Sequence, residues 1–161
     1  MKIKNLICSA FVVILVLFLS VAYADELSKD ILVSNAWVQV MPPSQTTSAA
    51  YMMITNNSSK EAVLLSATSE IADSVEIHQM SEMNGMMNMA MVSSVHILAH
   101  DKVILQPGGF HLMLINLKKP LNKGDIVSIA LHFQGGSDIV VNAEAKAELS
   151  EESSSMPGMK M

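Results

Sequence analysis

The chain of 161 residues holds a single cysteine and not one arginine, and aromatics make up only 4% of it. The cysteine, Cys8, lies inside an N-terminal segment built like a secretion signal: Lys2 and Lys4, an apolar stretch from Leu6 to Leu19, and the small-x-small site Ala22-Tyr23-Ala24. Cleavage after Ala24 is expected to remove Cys8 and deliver residues 25–161 to the periplasm, with no stable membrane insertion afterwards. A chain without thiols has no disulfide framework, no Cys-x-x-Cys redox centre and no cysteine nucleophile. Any soft metal it binds must be held by thioether sulfur. A blue-copper centre, which needs a thiolate beside two histidines, is excluded on the same ground.

Missing arginine and an acidic balance, net charge -5, also argue against nucleic acid. Phosphate recognition calls for a basic footprint and favours the guanidinium fork. Nor does the sequence contain a nucleophile elbow or a phosphate-cradling glycine loop, so an enzyme is not expected.

Methionine is what the chain has in excess, 14 residues in all. Met80, Met83, Met86, Met87, Met89 and Met91 crowd one short stretch, and Met156, Met159 and Met161 crowd the C-terminus. Methionine is adaptable core filler, but clusters interleaved with Gly, Asn and Ser do not read as core.

Between these features the chain is a succession of short β runs closed by turn signals: Ile31 to Met41, Ala49 to Thr55, Glu61 to Ser66, Ser74 to Met80, Met89 to Val95, Lys102 to Gln106, Phe110 to Leu117, Ile126 to Phe133 and Asp138 to Ala145. No long amphipathic helix follows the signal segment. Eight or nine short antiparallel strands predict an all-β sandwich or Greek-key barrel over residues 25–147, followed by a flexible methionine-containing tail, residues 148–161.

Strand alternation then gathers ligands. In Phe110-His111-Leu112-Met113-Leu114 the histidine and Met113 share one face, while the neighbouring apolar residues take the other. Ile77-His78-Gln79-Met80 repeats the arrangement with His78 and Met80. Two His-x-Met pairs offer imidazole and thioether without charge, a donor set that suits Cu(I) better than zinc, calcium or magnesium. His96, His100 and His132 lack such companions and read as surface histidines.

The succession His78, Met89, His111, Met113, together with Ala36-Trp37-Val38, Val75-Glu76-Ile77-His78 and Leu105-Gln106-Pro107-Gly108-Gly109-Phe110-His111-Leu112-Met113-Leu114, resembles the signature of the periplasmic copper chaperones called PCuAC. The resemblance spans about Ile31 to Ala145. It implies a cupredoxin-like β-sandwich, Cu(I) held by His78, Met89, His111 and Met113, and delivery to the CuA site of cytochrome c oxidase subunit II or to another carrier. Met80, Met91 and Met86 are auxiliary candidates, since Met89 and Met91 share a strand face and alternation alone does not choose between them. The protein is expected to be a monomer. Copper storage is the alternative, suggested by the surplus of methionine.

Overall fold

The computed structural model describes residues 29–147 apart from Asn84. The expected signal segment 1–24 and the tail 148–161, with Met156, Met159 and Met161, lie outside the described residues. Ten strands follow one another: β1 (Ile31–Gln39), β2 (Ser48–Asn56), β3 (Ala62–Thr68), β4 (Ala72–Met83), β5 (Met86–Met91), β6 (Val95–Ile97), β7 (Lys102–Leu105), β8 (Phe110–Leu117), β9 (Ile126–Phe133) and β10 (Asp138–Lys146). Among the described residues no helix is long and apolar enough to cross a membrane.

Period-two patterning accounts for the strands. In β10 the side chains of Val141, Ala143 and Ala145 are buried while Asp138, Asn142, Glu144 and Lys146 face water. The same alternation in β9 buries Val127, Ile129, Leu131 and Phe133. These meet Leu64, Leu112, Leu114, Ile54, Met52 and Ile97 in one core. Each such side chain removed from water contributes about 1.5–3 kcal/mol.

The strands form one sheet in the order β5-β4-β8-β7-β2-β1-β10-β9-β3-β6, with added pairings β4–β3 and β8–β2. The Ala67↔Val75 pair between β3 and β4 closes the sheet on itself. Two pairings depart from the antiparallel expectation: β1 runs parallel to β10, and β7 runs parallel to β8. The β1–β10 pairing joins the two ends of the domain.

The expected run Met89 to Val95 is not one strand. The chain leaves the sheet at Val92-Ser93-Ser94, so β5 lies at one edge beside β4 and β6 at the other edge beside β3. The fourth run, in turn, continues beyond Met80 to Met83. It turns through a two-residue connection in which Gly85 has φ +75°, a conformation that suits glycine in a tight hairpin.

Candidate metal centre

Three strands build the candidate site, and their register decides which side chains meet. Strand β4 pairs with β8 so that His78 lies directly opposite His111, and with β5 so that His78 also lies opposite Met91. Directly opposed residues in antiparallel strands point to the same face. One step along β4, Met80 lies opposite Met89; one step the other way, Glu76 lies opposite Met113. His78, His111, Met80, Met89, Met91 and Met113 therefore share one face, which is opposite the core row formed by Ile77, Leu112 and Ala50.

Met86 is placed differently. Its alternation with Met87, Met89 and Met91 sends it to the other face of the hairpin, where it is 70% exposed. Met87 takes the ligand-bearing face instead, opposite Glu82. The register also separates the two methionines that alternation left equivalent: Met91 stands across from His78, and Met89 stands across from Met80, diagonal to His78.

The imidazoles sit at the inner end of this face. Their ring centroids are 5.9 Å apart with the planes inclined at 45°. His111 is only 5% exposed, and the ring of Tyr51 lies 6.3 Å from it. Tyr51 in turn packs on Trp37 at 4.5 Å. This aromatic wall depends on an irregularity in β1: the register with β2 shifts between Ser34 and Trp37, where Asn35 adopts φ 54°. Asparagine tolerates that left-handed conformation, and the extra residue turns Trp37 to the side of Tyr51.

Hydrogen bonds fix what each ring presents. The Nδ1 of His111 lies 3.1 Å from the Gly109 carbonyl, which can only accept, so Nδ1 carries a proton and in the neutral ring the lone pair is on Nε2. The same carbonyl accepts the Met80 backbone N–H at 3.1 Å, tying the turn before β8 to β4. That turn needs Gly108 at φ +78°. The Nε2 of His78 lies 2.8 Å from Glu76 Oε2, while its Nδ1 is buried without a hydrogen-bond partner among the described residues.

An orphaned buried imidazole nitrogen costs free energy unless something occupies it. Imidazole nitrogen and thioether sulfur on one sheet face are a donor set for a soft cation. Among the described residues no three His, Cys, Asp or Glu side chains gather in a way that could hold a metal. A metal here thus depends on methionine.

The remaining histidines have other work. His96 pairs with Glu61 at 2.9 Å; His132 bridges Asp138 at 2.8 Å and Thr68 at 2.9 Å. His100 is exposed on a turn at φ 57°. Sequence reasoning missed Glu76 and Met87, which also lie on this face. Alternation places Glu76 beside His78, two positions away on the same strand face.

Comparison with known proteins bears on the family and the fold. Residues 31–145 match the family model LpqE-like, described as "Putative lipoprotein LpqE-like". A protein of Leifsonia xyli subsp. xyli, "Putative lipoprotein Lxx21020", is 36% identical over 115 residues, covering 71% of this chain and 68% of that protein. The solution structure of the Cu(I) form of DR1885 from Deinococcus radiodurans superposes with a TM-score of 0.60 at 36% identity, over 71% of this chain and 76% of that one. The copper-bound PCuAC domain from PmoF2 superposes with a TM-score of 0.62 at 19% identity, over 73% of this chain and 93% of that domain. At that identity the likeness speaks for the fold alone, which is the cupredoxin-like β-architecture of PCuAC domains.

Proposed function

Because the chain belongs to the LpqE-like family, we propose that it is an exported copper carrier that binds one Cu(I) through His78, Met89, His111 and Met113 and passes it to an acceptor. The observation that carries this reading is the opposition of His78 and His111 on one sheet face, with methionines in the adjoining register positions. The Cu(I) form of DR1885, 36% identical to this chain, supports it.

The exposure of the donors suggests how the cargo leaves. His111 is almost fully buried, His78 has a side chain 14% exposed, and Met89 and Met91 are 49% and 67% exposed. An acceptor approaching the β5 edge meets the thioethers first. It displaces them one at a time, and His111 releases last. Met80 and Met91 act as stand-in donors during that exchange, at no cost in charge. The role is that of a carrier, not a catalyst. The acceptor is a thiolate-bearing copper site such as CuA in cytochrome c oxidase subunit II. Segment 1–24 serves as the export signal, and the word lipoprotein in the names of the family and of the Leifsonia relative fits export.

The exposed methionines Met86, Met87, Met89 and Met91 give copper storage its one specific support. Stoichiometry separates the two roles. A Cu(I) competition titration of residues 25–161, and of the same chain ended at Ala147, is expected to give one tight ion per chain in both. Three or more ions of similar affinity would replace the carrier with a storage protein, and loss of the tight ion on truncation would move the site to the tail.

A further inference from the structure

We propose that Glu76 is a positioning residue that selects which nitrogen of His78 faces the metal; this rests on the copper reading above. A carboxylate only accepts, so at 2.8 Å from Glu76 Oε2 the His78 Nε2 must carry the proton. The neutral ring then has its lone pair on Nδ1, the atom that is buried and unpartnered. Across the strand pair His111 is locked the opposite way, with Nδ1–H on the Gly109 carbonyl and Nε2 open. The two opposed histidines therefore bind the same ion through different nitrogens, Nδ1 of His78 and Nε2 of His111.

Three further observations bear on Glu76. It stands two residues from His78 on the same strand face, so the bond needs no distortion of β4. Its register partner is Met113, which puts it on the ligand-bearing face. Its side chain is 37% exposed, so truncating it removes little packing. A carboxylate hydrogen-bonded to a metal-bound imidazole orients the ring and raises its basicity, and loss of such a partner typically costs about 10–100-fold in metal affinity. The negative charge beside a neutral donor set also offsets the charge of the bound cation.

The test reads nitrogen identity directly. Long-range 15N–1H NMR correlations of the imidazole rings in the processed chain, at about pH 8, above the ordinary histidine value of about 6.5, report the tautomer of each histidine. Ag(I), a soft and redox-inert monovalent ion, then serves as the probe. The expected result is Nε2–H in His78 and Nδ1–H in His111 before Ag(I), with His78 Nδ1 and His111 Nε2 shifting on its addition. Glu76→Ala should mix the His78 tautomers and weaken Cu(I) binding about tenfold. Glu76→Gln, whose amide oxygen still accepts the Nε2–H bond, should restore the tautomer and most of the affinity. A shift at His78 Nε2 in place of Nδ1, or an Ala variant with unchanged tautomer and affinity, would overturn the role of Glu76 and leave the copper site standing. Binding of Ag(I) with neither histidine responding would remove the copper site, and Glu76 with it.

Discussion

Replacing His78 and His111 together with alanine is expected to abolish tight Cu(I) binding while leaving the β-sheet circular-dichroism spectrum unchanged. The two rings supply the nitrogen donors of the proposed site, and they face each other from β4 and β8. Loss of an outer-shell partner typically costs about 10–100-fold in metal affinity, so loss of two ligands must cost more than that. A competition titration against a chromophoric Cu(I) chelator measures the change. The fold should survive because neither histidine belongs to the apolar core, and among the described residues the His111 ring is tied to the backbone through the Gly109 carbonyl. A His78→Gln, His111→Gln pair, which keeps more of the side-chain volume, guards against a packing effect. Affinity retained in both doubles would refute the site.

The second large effect belongs to the scaffold. Asn56, at the end of β2, is fully buried, and its Nδ2 donates to the carbonyls of Lys60 at 2.7 Å, Ile97 at 3.1 Å and Leu98 at 3.1 Å. Its Oδ1 accepts from Ser58 N at 3.0 Å and Ser58 Oγ at 2.7 Å. One side chain thus satisfies the turn leading into β3 and the end of β6. Asn56→Ala strands the buried Ile97 carbonyl, at a cost of about 1–3 kcal/mol for such a group left unsatisfied, and also breaks the partly buried bonds to Lys60, Leu98 and Ser58. Asn56→Asp should be worse despite its equal size, since it sets carboxylate oxygen against carbonyl oxygens. Thermal unfolding is expected to fall by roughly 10 °C in the alanine variant, with Cu(I) stoichiometry unchanged in the folded protein. A melting point within a degree or two of the parent would contradict this account of the β2–β6 junction.

These two substitutions separate what was legible in the sequence from what was not. The His-x-Met pairs could be read because alternation in a strand is local: two residues apart means the same face. Their meeting could not, because the pairing of β4 with β8 is a long-range event that no local pattern encodes. The run Met89 to Val95 looks like one strand, for neither glycine nor proline interrupts it. In the fold its two halves go to opposite edges of the sheet, a choice made by the apolar side chains of Val95 and Ile97, which are buried against β3. The parallel closure of β1 on β10 is likewise non-local. By contrast, the hairpin between β4 and β5 was within reach. Asn84-Gly85 is a strong tight-turn signal, and reading it would have set Met91 opposite His78. Asn56 opens the run Asn56-Asn57-Ser58-Ser59, and asparagine in such a run is far more often exposed than buried.

The central claim is that imidazole and thioether together hold a single Cu(I) on the face shared by β4, β5 and β8. X-ray absorption at the copper edge of the Cu(I)-loaded chain, residues 25–161, tests it most directly because nitrogen and sulfur scatter distinguishably. The account predicts a mixed first shell of two nitrogens and two sulfurs. A shell of sulfur alone, built from the surplus methionines, would contradict it.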